Sequence, residues 1–245
     1  MREFFAYDPA WYGSGGGFGM HSITHLTTIA VILAASVLIS LFYRRLDETS
    51  RLKMVRIIMV IIVVLEIIQH VSFPVVHGFY VIEYMPFQLC GIMIFVAIFY
   101  SIKLNKTAGE ILYAPGLAGF VAALFFPNWT EYPFINFYNL KSFTTHGLQI
   151  AFVLMLLVAG QVRPTPRSIW KSIAFLGAVG APLYVLNYIL GTNFLFLMYG
   201  PEGTPVKIFS DAFGSPLFLL PFAGLVVAVL VIMYLPWYFV EKRRK

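Results

Sequence analysis

The sequence predicts an all-α, polytopic membrane protein, and three observations carry that expectation. Hydrophobic residues make up 60% of the chain and charged residues only 11%, far from the balance of a soluble domain. Seven apolar stretches qualify as helical spans, for which about 17–25 residues are needed, although the third and fifth do so narrowly. Lys and Arg collect on one side if those seven segments alternate in direction. A transmembrane barrel would alternate apolar and polar residues instead, and the sequence has no such pattern.

The segments run over residues 23–43, 54–76, 86–102, 108–126, 145–162, 169–190 and 216–240. Between the first two lies a basic connection that contains Arg44, Arg45, Arg51 and Lys53. Lys103, Lys106, Arg163, Arg167, Lys171 and the terminal Lys242-Arg243-Arg244-Lys245 fall on the same side. Of the 17 Lys and Arg residues, only Arg2, Lys141 and Lys207 lie opposite. The positive-inside rule therefore places the N-terminus outside and the C-terminus in the cytoplasm of a cell-membrane protein. Anionic inner-leaflet lipid accounts for the net charge of +6 with no nucleic-acid partner. Residues 1–20 are aromatic and Gly-rich, unlike a cleavable leader. No repeat or linker divides residues 1–245, which read as one seven-helix domain. The outer connections, 125–144 and 191–215, are rich in aromatics that suit the headgroup interface. The glycosylation triplets at 105–107 and 128–130 are too common to carry weight.

Polar side chains inside these segments are costly in lipid and mark candidate sites. On segment two, Glu66, His70 and His77 fall within about 40° of one another, with Gln69 beside them. An acid at mid-helix needs a partner or a proton, and His70, one turn away, is the nearest candidate for Glu66. His146 and Gln149 share a face near the outer end of segment five. Tyr184, Asn187 and Tyr188 do so on segment six, after a kink expected at Gly180-Ala181-Pro182. His25, His70, His77, Cys90, His146 and Asn187 all fall in the outer half of the membrane under the alternating topology. One shared polar cavity is the economical reading.

Glu110 is expected to be structural, because Thr107-Ala108-Gly109-Glu110 matches a capping box. Gly109, Gly116, Gly119 and Ala123 read as close helix packing. Segment seven has no Lys, which excludes a retinal Schiff base there, and no His pair. His21 and His25 have metal-ligand spacing, so a zinc-dependent lipid hydrolase stays open, although no metal ligand set is assigned and no cofactor is expected.

Cys90 is the only cysteine. It lies in the first turns of its helix, where the dipole favours thiolate, and the single thiol excludes an internal disulfide. His25, the Pro86-Phe87-Gln88-Leu89-Cys90 entry to segment three, His146, and Asn187-Tyr188 followed by Gly191-Thr192-Asn193-Phe194 resemble the YwaF family of bacterial integral membrane proteins. That family in turn resembles an animal acyltransferase that moves acyl chains onto ether lysophospholipids through a cysteine. The resemblance implies Cys90 as acyl-accepting nucleophile and His146 as base. Members of the family commonly carry His two residues before the cysteine, where this chain has Gln88, which cannot take a proton.

The expected function is cysteine-dependent acyl transfer on membrane phospholipid from a cavity open to the outer leaflet. Cys90 and His146 are its catalytic candidates. Glu66 and His70 would orient or relay, Asn187 or Gln149 would stabilise the oxyanion, and His25, Gln69, Gln88 and Asn193 would line the substrate site. The alternative is a non-enzymatic transporter or binder of a small solute or lipid headgroup, with Glu66 and His70 as a proton-coupled pair.

Overall fold

A computed structural model describes residues 4–5, 17–77, 82–127 and 132–243, with the side chains of Val76, His77 and Glu83 outside that set. The expectations placed on Arg2, on the His77 side chain, on the triplet at 128–130 and on Arg244 and Lys245 lie outside the described residues. Among the described residues every regular element is helical. In chain order these are α1 (Ile23–Arg44), α2 (Glu48–His77), α3 (Leu89–Lys103), α4 (Lys106–Ile111), a π-helical turn (Leu112–Gly116), α5 (Leu117–Phe125), α6 (Phe137–Val158), α7 (Ile169–Leu190), α8 (Pro205–Phe213) and α9 (Leu219–Lys242). Among the described residues, six helical runs are long and apolar enough to cross a membrane: α1, α2, the α4–α5 run, α6, α7 and α9. Helix α3 is apolar but has 15 residues, a rise of about 22 Å against a hydrocarbon core of about 30 Å.

Capping chemistry moves several boundaries from where hydropathy puts them. Helix α2 starts at Glu48 rather than 54, because Asp47 accepts the Ser50 N–H at 3.0 Å and the Ser50 hydroxyl at 2.6 Å. The basic connection is thus largely the first turns of a helix. Helix α6 starts at Phe137 rather than 145, since the Asn136 side chain accepts the Tyr138 N–H at 2.8 Å. Part of the aromatic outer connection is therefore helical, and His146 sits ten residues into α6, about 14 Å along its axis. The capping box expected at Thr107 does not form. Asn105 caps α4 instead, by accepting the Ala108 N–H at 3.0 Å.

The chain divides into two compact units, Met1–Val81 with Phe120–Gln161, and Ile82–Gly119 with Val162–Lys245. In the first, α6 is the central helix, and α1 and α2 both pack on it. Its Phe143, Ile150, Phe152, Met155 and Leu156 are buried, while Val31 and Leu38 of α1 and Val60, Ile67 and Val71 of α2 remain exposed. Apolar side chains left outside at helical spacing are what lipid contact requires. Gly147 lets α1 come close, because a Cβ there would lie 2.9 Å from Ile32 Cγ2. The Ser36 hydroxyl donates to the Gly147 carbonyl across that approach, at 3.3 Å.

In the second unit α7 packs on α4 and α9. Two of the expected small-residue approaches are present, Gly109 against Val162 and Gly119 against Leu89. Helix α7 runs unbroken through Gly180-Ala181-Pro182. An irregular turn lies at Pro115, which lacks an N–H to donate and sits in the π-helical stretch. There the Tyr113 hydroxyl donates to the Met233 carbonyl and accepts the Trp237 indole N–H at 2.9 Å.

Candidate functional site

The first unit holds a charged pair between α2 and α6. The Lys141 ammonium lies 2.5 Å from the Glu66 carboxylate, with side chains 12% and 20% exposed. The partner of Glu66 is therefore Lys141 rather than the His70 ring. A pair so withdrawn from water holds because both charges are present, and removing either leaves the other uncompensated. It also accounts for Lys141 as one of the three cations opposite the basic side.

A histidine follows on each helix, four residues after Glu66 and five after Lys141. His70 Nδ1 donates to the Glu66 carbonyl at 2.8 Å, and His146 Nδ1 donates to the Ser142 carbonyl at 2.7 Å. Each bond fixes the proton of the neutral ring on Nδ1 and leaves the lone pair on Nε2, the tautomer a general base needs. Gln69 is buried on α2, and Gln149 is buried one turn beyond His146 on α6. Sequence reasoning missed Thr145 and Asn139. The buried Thr145 hydroxyl and Asn139 Oδ1 have no hydrogen-bond partner among the described residues. No hydropathy signal marks them, because both sit in the stretch read as an interfacial connection or at its edge.

His25 is engaged differently. Its Nδ1 accepts the His21 N–H at 2.9 Å, and its Nε2 donates to the Leu124 carbonyl at 2.8 Å. His21 lies outside α1, whose cap is Ser22, and its Nε2 donates to the Phe125 carbonyl at 3.1 Å. No group of three His, Cys, Asp or Glu among the described residues is arranged to hold a metal.

The second unit holds Cys90, a half-buried residue at the second position of α3. The first-turn position expected of it is the one it occupies. Gly91 beside it permits a close approach, since a Cβ there would meet the Pro86 carbonyl oxygen at 2.8 Å. Gln88 caps the helix by position but makes no side-chain cap bond. Its amide holds the turn after α7 instead, with Oε1 accepting the Leu195 N–H at 2.9 Å and Nε2 donating to the Asn193 carbonyl at 3.3 Å. Phe87 meets Phe194 edge-on at 5.3 Å.

Asn187 and Asn193 serve the same turn. Asn187 Oδ1 accepts the Phe194 N–H at 2.7 Å and the Thr192 hydroxyl at 2.9 Å, while its Nδ2 donates to the Phe194 carbonyl at 2.9 Å. Asn193 Oδ1 accepts the Met198 N–H, and its Nδ2 donates to the Tyr199 carbonyl, both at 2.9 Å. Three amides thus hold a turn in which Leu195 and Phe196 have φ of 56° and 54°, a region that costs non-glycine residues about 1–2 kcal/mol each. Tyr188, expected on the Asn187 face, is exposed while Asn187 is buried.

Glu110 is a buried ion-pair residue rather than a cap. Its carboxylate lies 2.6 Å from the Lys171 ammonium and accepts the Ser168 hydroxyl at 2.8 Å. Among the described residues, each unit therefore holds a Glu–Lys pair between two of its helices, largely withdrawn from water.

Six span-length apolar helices, exposed apolar faces and charges withdrawn between helices define a multi-pass integral membrane protein. Within that class the chain belongs to the TMEM164 family, whose model matches residues 18–234. No curated protein and no solved structure matches the chain.

Proposed function

We propose that the protein is a cysteine-dependent phospholipid acyltransferase, with Cys90 as the acyl-accepting nucleophile and His146 as the base. The observation that carries the reading is the position of Cys90: the only thiol of the chain, half-buried in the first turn of the apolar helix α3. The helix dipole favours thiolate there. The YwaF-like resemblance supplies the chemistry, and the His146 tautomer suits the role that resemblance implies. In the proposed cycle the Cys90 sulfur attacks an ester carbonyl of a donor phospholipid. The ester C–O bond breaks, and the departing lysophospholipid oxygen takes the thiol proton by way of the base. The hydroxyl of an acceptor lysophospholipid then attacks the thioester, giving its proton back to the thiol as sulfur leaves. We read α3 as the seventh span, with the basic side cytoplasmic, which opens the site to the outer leaflet.

The test is a phospholipid with a labelled acyl chain, presented to the purified protein in vesicles. The label is expected on Cys90 as a thioester that hydroxylamine removes, and neither Cys90→Ser nor His146→Ala should transfer it. Transfer that survives Cys90→Ser, with no thioester detected, overturns the proposal.

A second reading draws on the Glu66–Lys141 pair and on the Thr145 hydroxyl, buried on α6 one turn beyond Lys141 with no partner among the described residues. They suit a binder or transporter of a small polar solute or headgroup. That reading predicts binding that tolerates Cys90→Ala and is lost in Glu66→Gln.

A further inference from the structure

Helix α8 is amphipathic over its 9 residues. At about 100° per residue, Ile208, Ala212, Phe209, Phe213 and Val206 fall in one arc of about 160°. Lys207, Ser210 and Asp211 fill the rest. Protein covers part of the apolar arc: Val206 is buried and Phe209 half-buried, while Ile208 is 67% and Phe213 55% exposed. The polar arc neutralises itself, with Lys207 at 2.7 Å from Asp211 and 3.3 Å from Glu202. Thr204 caps the start by accepting the Lys207 N–H at 3.3 Å, and Gly214, at φ 68°, ends the helix.

The flanking chain says what meets the open arc. Helix α8 connects two membrane helices, and the apolar residues on either side of it, Ile189 on α7 and Leu217 and Leu220 at the start of α9, are exposed in the manner of lipid-facing positions. Helix α8 packs on α9, so its open arc lies beside a helix with apolar side chains exposed in that manner and meets the same solvent. Helix α8 has one cation against two nearby anions, so attraction to anionic lipid contributes nothing to its seating.

We propose that α8 is an interfacial anchor that lies in the headgroup–acyl boundary, with Ile208 and Phe213 inserted, held by apolar burial and not by charge. The proposal is independent of the acyl-transfer reading.

The test uses the full chain reconstituted in vesicles, in a Cys90→Ser background that only removes the native thiol. Nitroxide labels are placed singly through Ile208→Cys, Phe213→Cys and Asp211→Cys. The labels at 208 and 213 should be relaxed more by oxygen than by a water-soluble nickel chelate, and the label at 211 the reverse. The pattern should be the same in zwitterionic and in anionic vesicles. Equal nickel access at 208 and 211 would put the arc in water and overturn the proposal. Shielding of 208 from both reagents would mean a protein cover, with the same consequence. Insertion seen only in anionic vesicles would overturn the charge-independent anchoring.

Discussion

The Lys141 ammonium and the Glu66 carboxylate lie 2.5 Å apart between α6 and α2, with side chains 12% and 20% exposed. Removing one partner leaves a charge in lipid-like surroundings. Lys141→Met should destabilise the protein by about 3–5 kcal/mol. The double variant Glu66→Leu/Lys141→Met should recover most of the loss, because an apolar pair of similar volume leaves nothing unpaired. Thermal unfolding in detergent of the two single variants and the double variant checks this. Additive losses would show that the two charges are not coupled.

Gln88 offers one donor and one acceptor to the turn that carries Leu195 in left-handed backbone. Gln88→Leu leaves the Leu195 N–H and the Asn193 carbonyl without that partner, at about 1–3 kcal/mol for each group that stays buried. Amide hydrogen exchange over residues 193–199 should then accelerate by at least about tenfold, the equivalent of 1.4 kcal/mol. Gln88→His retains a donor and an acceptor on a neutral ring and should keep most of the protection. Unchanged exchange in Gln88→Leu would mean that Asn187 and Asn193 hold the turn without help.

Gly147 is where α1 and α6 come closest. Gly147→Val should cost about 1–3 kcal/mol, because the new side chain meets Ile32 and the helices must part. Adding Ile32→Ala should return part of that stability. Unfolding midpoints of the single and double variants decide it, and a neutral Gly147→Val would show that the α1–α6 spacing is loose.

Asp47, in the connection before α2, is held below its ordinary value of 3.8, chiefly by the Ser50 hydroxyl and then by the Ser50 N–H. A lowered folded value means that the stabilisation is present in full above about pH 4 and is lost as pH falls through the folded value. The helical start of α2 should therefore loosen only on the acid side. Asp47→Asn keeps an N-capping oxygen but does not titrate, so its unfolding midpoint should fall less between pH 5 and pH 3 than that of the unmodified protein. Equal acid sensitivity of the two chains would assign the effect to other carboxylates.

Much of the architecture was legible in advance because it depends on short-range quantities. Apolar run length predicted α1, α2, α7 and α9 to within a few residues at most ends, and it placed Cys90 at the start of α3. It failed at α6, whose polar, aromatic first two turns look like a connection until Asn136 caps them. It also failed at α4, where Asn105 takes the cap that Thr107 was expected to supply. The charge read as an outlier, Lys141, and the acid set aside as a cap, Glu110, both turned out to be ion-pair residues between helices.

The sequence by itself determined the class of this protein: an all-helical chain too apolar for water, with polar side chains too costly for lipid unless helices enclose them. Tertiary structure alone decided which groups satisfy one another. The Glu66 carboxylate is bound by Lys141, while its helical neighbour His70 bonds the Glu66 backbone carbonyl. Glu110 takes Lys171 from 61 residues away, and Gln88 reaches Asn193 across 105. Hydropathy and helical period report what one residue costs in its own segment. Pairing depends on which faces two helices bring together, a property of the packed pair that neither segment carries alone.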